Sequence, residues 1–131
     1  MITKLLLVLK NKAIGLALLW TLLILYLSLK NPSGEQRFSF ANADKIVHFT
    51  FYFMFVILWY RYLFLAQKLQ KGNKILLVFI AVLLGILVEV AQKYFTTTRQ
   101  ADVWDVVANS LGAFVGILVS NQIYKLKKIA I

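Results

Sequence analysis

The chain has 131 residues, no cysteine and a single proline. Without cysteine, neither disulfides nor thiolate chemistry enters its function. Acid is also scarce: five Asp and Glu stand against 15 Lys and Arg, with one histidine. Such a basic excess would suit nucleic acid, but there is no basic soluble domain to carry that role, and no nucleic-acid partner is expected. Alternation of polar and apolar residues is missing from the greasy segments too, which argues against a β-barrel.

What fills the chain is apolar. Hydrophobic residues make up 61% of it, more than a soluble domain of this length could bury. The excess falls in four runs, Ala13 to Leu29, Ile46 to Leu65, Ile75 to Ala91 and Val103 to Ser120. Each approaches the roughly 20 residues needed to cross about 30 Å of hydrocarbon. Backbone amides in lipid must bond internally, so the runs are expected to be helices. The fold class is therefore an all-α membrane protein, one domain over residues 1–131. Its four transmembrane helices are expected near 13–30, 45–66, 74–93 and 102–121. The first run follows Lys4, Lys10 and Lys12 as a signal peptide would. It leads into LKNPSG rather than a small-residue cleavage site, and is long enough to be kept as a span.

Charge placement predicts the orientation. Lys4, Lys10 and Lys12, then Arg61, Lys68, Lys71 and Lys74, then Lys125, Lys127 and Lys128 fall on one side. Lys30, Arg37, Lys45, Lys93 and Arg99 fall on the other. Ten against five puts both termini in the cytoplasm, facing anionic inner-leaflet lipid. Trp59, Tyr60, Tyr62 and Tyr124 would mark the inner interface, and Tyr94 and Trp104 the outer one. Trp20 falls mid-helix and does not fit this pattern.

The five acids are Glu35, Asp44, Glu89, Asp102 and Asp105. Four lie at, or just inside, the outer ends of the second, third and fourth runs. Helical spacing gathers them into stripes: Asp102, Asp105, Asn109, Gly112 and Gly116 on the fourth; Gly85, Glu89, Gln92 and Thr96 on the third. The second run offers Asp44, His48 and Tyr52, with Lys45 beside them. Lipid exposure of Glu89 or Asp105 would be costly, so the stripes should face one another or a wet cavity. Gly112 and Gly116 form a small-xxx-small pair that admits a close neighbouring helix. Asp102 is placed to cap the fourth helix, and Asp105 suits its first turn.

At these residues the chain resembles the VanZ-like family of small bacterial membrane proteins. The matching stretches are ADKIVHFTFYF (43–53), EVAQKYF (89–95) and RQADVWDVVANSLGAFVG (99–116). The likeness covers about residues 40 to 120; the first helix fits by position only. The resemblance implies a bacterial cell-envelope protein, multi-pass in the cytoplasmic membrane. The family's namesake is associated with low-level resistance to the lipoglycopeptide teicoplanin, which extends to this chain only by analogy.

The expected binding residues are Asp44, Lys45, His48, Tyr52, Glu89, Gln92, Arg99, Asp102, Asp105 and Asn109. His48 admits three readings: neutral glue bonded to a carboxylate, a proton-transfer or ligand-contacting group, or a metal ligand. No HxxxH or ExxH spacing supports the last, so no metal is assigned and no cofactor is identified. Arg99 would either neutralise Asp102 or Glu89 or grip a phosphate or carboxylate with help from Lys45. Glu89, the deepest acid, would bond across the bundle or serve as an acid or base. Tyr52 reads first as core.

Three functions compete. In the favoured one, an outward polar cavity binds an anionic envelope lipid or a lipidated glycopeptide. In the second, His48, Glu89 and Asp105 catalyse hydrolysis or transfer on a lipid-linked phosphate or sugar, with or without a metal. There is no nucleophile motif: Ser110 lies on a different helical face from Asp105 and Asn109. In the third, the stripes only lock helices together, within one chain or an oligomer.

Overall fold

A computed structural model describes residues 2–31, 42–97 and 101–129. It contains four helices, α1 (Ile2–Leu29), α2 (Ala43–Leu65), α3 (Lys71–Phe95) and α4 (Val103–Ile129), and no strand among the described residues. All four are long and apolar enough to cross a membrane. The expected spans run one residue past α1 and α2, at 30 and 66, and start one before α4, at 102, while α1 begins at Ile2 rather than near residue 13 and α4 runs to Ile129 rather than 121. Hydropathy marks the part of a helix that suits lipid. The helix itself continues wherever good helix formers such as Leu5, Leu6, Leu7 and Leu9 follow without glycine or proline.

The distribution of polarity identifies the surroundings. Large apolar side chains cover the outside: Leu19, Leu22, Phe79 and Leu118 are each more than 60% exposed. Inside lie His48, Glu89, Gln92, Asn109 and Ser120, with Ile24, Tyr52, Phe55, Val56 and Tyr60 packed beneath and between them. So large an exposed apolar surface would aggregate in water; in lipid it is simply the solvated face.

Lipid tails are as apolar as leucine, so helices must associate through close packing and polar bonds instead. α4 uses glycine against α2. A Cβ placed at Gly112 would overlap the Phe49 carbonyl oxygen, and one at Gly116 would lie 2.9 Å from the Phe53 carbonyl oxygen and 3.0 Å from the Val56 Cβ. The Gly112 and Gly116 pair thus admits a helix, as its spacing predicts, and that helix is α2. α3 meets α4 in the same way, where a Cβ at Gly85 would lie 3.1 Å from the Cβ of Asn109. α1 presents Ala13, Ala17, Ile24 and Ser28 along its buried face. Trp20 of α1 donates its indole N–H to the Phe51 carbonyl oxygen of α2 at 2.9 Å, and Trp59 donates to the Thr21 hydroxyl at 3.2 Å. Its mid-helix position therefore reflects an interhelical bond and not an interfacial anchor.

Candidate functional site

The polar stripes of α2, α3 and α4 meet where α2 and α4 begin and α3 ends. Each helix delivers its residues by local means. Asn42, in the left-handed region at φ 63°, turns the chain into α2 and places Asp44 and Lys45 in the first turn. Asparagine tolerates that conformation better than most residues. Asp102 caps α4 as expected: its Oδ1 accepts the Trp104 N–H at 2.8 Å. Asp105 follows in the first turn, where the helix dipole favours negative charge. In α3, Glu89 and Gln92 share the buried face with Gly85 and Val88.

Lys45 is the hub. Its Nζ donates to Asp44 Oδ2 at 3.0 Å, Asp102 Oδ2 at 2.7 Å and Asp105 Oδ1 at 2.8 Å. An ammonium has three donors, and all three are spent. The ammonium thus ties the start of α2 to the start of α4. The ammonium also holds the Asp102 carboxyl below the usual carboxylate range, with the Trp104 N–H contributing.

Below this layer sits a buried one. His48 Nδ1 lies 3.1 Å from Asn109 Oδ1 and 3.6 Å from Glu89 Oε1, and His48 Nε2 lies 3.5 Å from Asp105 Oδ2. Glu89 Oε2 accepts the backbone N–H of Asp102 at 3.3 Å, joining α3 to the start of α4. Three buried polar atoms here have no hydrogen-bond partner: Glu89 Oε1, Asn109 Nδ2 and the Tyr52 hydroxyl. Exposure falls steadily inward, from side chains of Asp44 and Asp102 that are 48% and 40% exposed to His48 at 7% and Glu89 at 3%. The cluster is thus a graded path from the surface into the bundle.

Of the ten expected residues, Asp44, Lys45, His48, Glu89, Asp102, Asp105 and Asn109 converge as one bonded group, and Tyr52 follows His48 one turn deeper in α2. Gln92 does not join it. Its Nε2 donates to the Ser28 carbonyl oxygen at 2.9 Å, satisfying one of the carbonyls that α1 leaves open at its C-terminus. Arg99 lies outside the described residues. A second polar group at the opposite end escapes the sequence reading: Tyr60 and Lys74 both donate to Asn121 Oδ1 at 2.8 Å. Its only sequence signal is the polar break Ser120–Asn121–Gln122 at the end of the last apolar run.

The comparison with known families decides the identity at the coarse level. The VanZ/LLP1 family profile matches residues 13–125, nearly the whole chain and every residue of the site. The chain belongs to the VanZ/LLP1 family. No curated protein and no solved structure gives a significant match. With four helices able to cross a membrane, this VanZ/LLP1 chain is a multi-pass membrane protein. The resemblance drawn from the second to fourth runs extends further than expected, because the profile also takes in most of α1 from residue 13 onward.

Proposed function

We propose that the protein sits in the bacterial cytoplasmic membrane with both termini in the cytoplasm and its polar site at the outer face. There it binds the headgroup of an anionic envelope lipid or of a lipidated glycopeptide. The observation that carries this reading is the inward path itself, partly exposed at Asp44 and Asp102 and ending on buried polar atoms without partners. A cluster serving only to lock helices would be expected to satisfy its own buried atoms. Hydroxyl and amine groups of a headgroup would meet Asp44 and Asp102, and the exposed apolar helix faces would lie along the acyl chain. Phosphate recognition falls to Arg99, with help from Lys45. The preponderance of Lys and Arg at the opposite end supports the orientation. Resistance to lipoglycopeptides stays an analogy with the family's namesake.

The alternative is hydrolysis or transfer on a lipid-linked phosphate or sugar, and the placement of His48 between Glu89 and Asp105 favours it, as an acid–base group would be. Native mass spectrometry from mild detergent tests the binding reading, with an Arg99→Ala/Asp44→Asn variant beside the wild type. A discrete envelope-lipid adduct that disappears from the still-helical variant is expected. The same bulk lipid on both proteins would reduce the cluster to helix packing. Turnover of an added lipid phosphate, lost in His48→Ala, would move the assignment to the enzyme.

A further inference from the structure

We propose that His48, Glu89 and Asp105 form a divalent-cation site between α2, α3 and α4. One ligand atom from each of the three residues lies within 4.8 Å of the other two. An ion bonded to nitrogen and oxygen at about 2.0–2.2 Å holds its ligands up to roughly 4.4 Å apart, so small side-chain shifts close this set around one. The three residues are buried, at 5%, 2% and 8% exposure, unlike an ordinary surface patch of acid.

A second observation is independent of the clustering. Glu89 Oε1 is buried and accepts no hydrogen bond, with His48 Nδ1 beyond hydrogen-bond range at 3.6 Å, although its partner oxygen does. A buried carboxylate oxygen without a donor is costly unless a cation or proton meets it. His48 shows the matching arrangement. When its Nδ1 carries the proton and donates to Asn109 Oδ1, the Nε2 lone pair is turned toward Asp105 Oδ2, 3.5 Å away. A metal ion there would be shared by Nε2 and the Asp105 carboxylate. An imidazole bound through one nitrogen and held by a hydrogen bond from the other is the usual arrangement of a metal-bound histidine.

Charge points the same way. Asp44, Asp102 and Asp105 share the Lys45 ammonium and Glu89 adds a fourth carboxylate, so among the described residues the site has carboxylates in excess. A divalent ion offsets two of them. One imidazole with two carboxylates suits Mn²⁺ or Zn²⁺ better than Ca²⁺, which prefers oxygen alone. Three protein ligands leave coordination positions open, and in the binding reading above a phosphate oxygen would take one of them. The cation site itself stands on these side chains with or without a lipid.

The test uses the full chain in dodecyl maltoside, stripped with EDTA and titrated with MnCl₂ alone. One equivalent of Mn²⁺ is expected to bind with an affinity on the order of 10 μM or better. Electron spin-echo spectroscopy should show the nitrogen coupling of a single imidazole, and Zn²⁺ should displace the ion. Glu89→Gln and His48→Gln should each weaken binding by about 100-fold or more. Asn109→Ala should keep the equivalent but alter the nitrogen coupling, which a purely structural role would leave alone. Helical wild-type protein that takes up no stoichiometric Mn²⁺ or Zn²⁺ at about 1 mM overturns the proposal. So does bound Mn²⁺ without nitrogen coupling, or unchanged affinity in Glu89→Gln. If a variant fails to fold, the wild-type coupling and stoichiometry decide alone. A lipid adduct without metal uptake would sink the cation site and spare the binding reading; metal uptake without an adduct would do the reverse.

Discussion

Gly112→Ala adds one methyl group at the tightest point of the bundle. The new carbon would overlap the Phe49 carbonyl oxygen and lie 3.0 Å from both the Phe49 carbonyl carbon and the Phe53 nitrogen. These are backbone atoms in the middle of α2, so no side-chain rotation relieves the clash. α2 and α4 must separate by roughly an ångström, and overpacking of this kind costs about 1–3 kcal/mol. A gap of that size also forfeits a quarter to a half of each dispersion contact along the seam, adding about 1 kcal/mol over some tens of atom pairs. The expected loss is therefore about 2–4 kcal/mol. Gly15→Ala is the matched control, because a Cβ there meets nothing within 4 Å. In that helix interior alanine should be neutral or stabilise by up to about 1 kcal/mol. Reversible unfolding in mixed micelles, followed by helical circular dichroism, measures both. If Gly112→Ala matches wild type within about 0.5 kcal/mol, or the two variants shift alike, the glycine seam is not what joins α2 to α4.

Lys45→Met removes the one ammonium shared by three carboxylates. Because Lys45 holds the Asp102 carboxyl below its ordinary value, that contribution is complete above the usual carboxylate range near pH 4. It is lost as pH falls through the lowered folded-state value. The variant should be less stable at neutral pH and converge on wild type in acid; a pH-independent difference in unfolding would refute the hub. Gln92→Leu leaves the Ser28 carbonyl without its donor and should cost about 1–2 kcal/mol. Faster amide exchange around residues 26–31 should accompany it, and unchanged exchange there would argue against the tie. Trp20→Phe should lose about 0.5–1.5 kcal/mol through its bond to Phe51, and a neutral result in the same unfolding assay would make that bond incidental.

The helices and their number were legible because spanning lipid demands long apolar runs, and those runs are visible without any partner. The stripes were legible for a related reason: Asp105, Asn109, Gly112 and Gly116 repeat at helical spacing in a background that is otherwise apolar. The partners of each stripe were less so. Spacing shows that Lys45 lies near Asp44, but not that Asp102 and Asp105, far along the chain, take its other two donors. Gln92 shares its stripe with Glu89, yet its amide turns to a backbone carbonyl of α1, and a carbonyl leaves no trace in side-chain patterning. Trp20 looked misplaced because the belt rule treats tryptophan as an anchor, whereas here its N–H bonds to Phe51 of a neighbouring helix. The ends of α1 and α4 ran past their apolar segments because a helix needs lipid-compatible side chains only where lipid surrounds it.

Site and seam are mechanically joined, and this makes stability a readout of binding. Asn109 touches Gly85 of α3 and bonds His48 of α2, and one turn further along α4 Gly112 lies against the α2 backbone. Anything that draws His48, Glu89 and Asp105 together must pull α2, α3 and α4 into the same register that the glycines require. A ligand that binds only the folded bundle adds RT ln(1 + [L]/Kd) to its stability, about 2.7 kcal/mol at 100 times Kd. Mn²⁺ at that excess should therefore raise wild-type unfolding stability by about this amount while leaving Glu89→Gln nearly unchanged. It should also recover part of the loss in Gly112→Ala, whose ligands are intact although its seam is not. Equal stabilisation of wild type and Glu89→Gln would mean that Mn²⁺ acts elsewhere on the chain or on the detergent. Stabilisation of neither would separate the polar cluster from any cation.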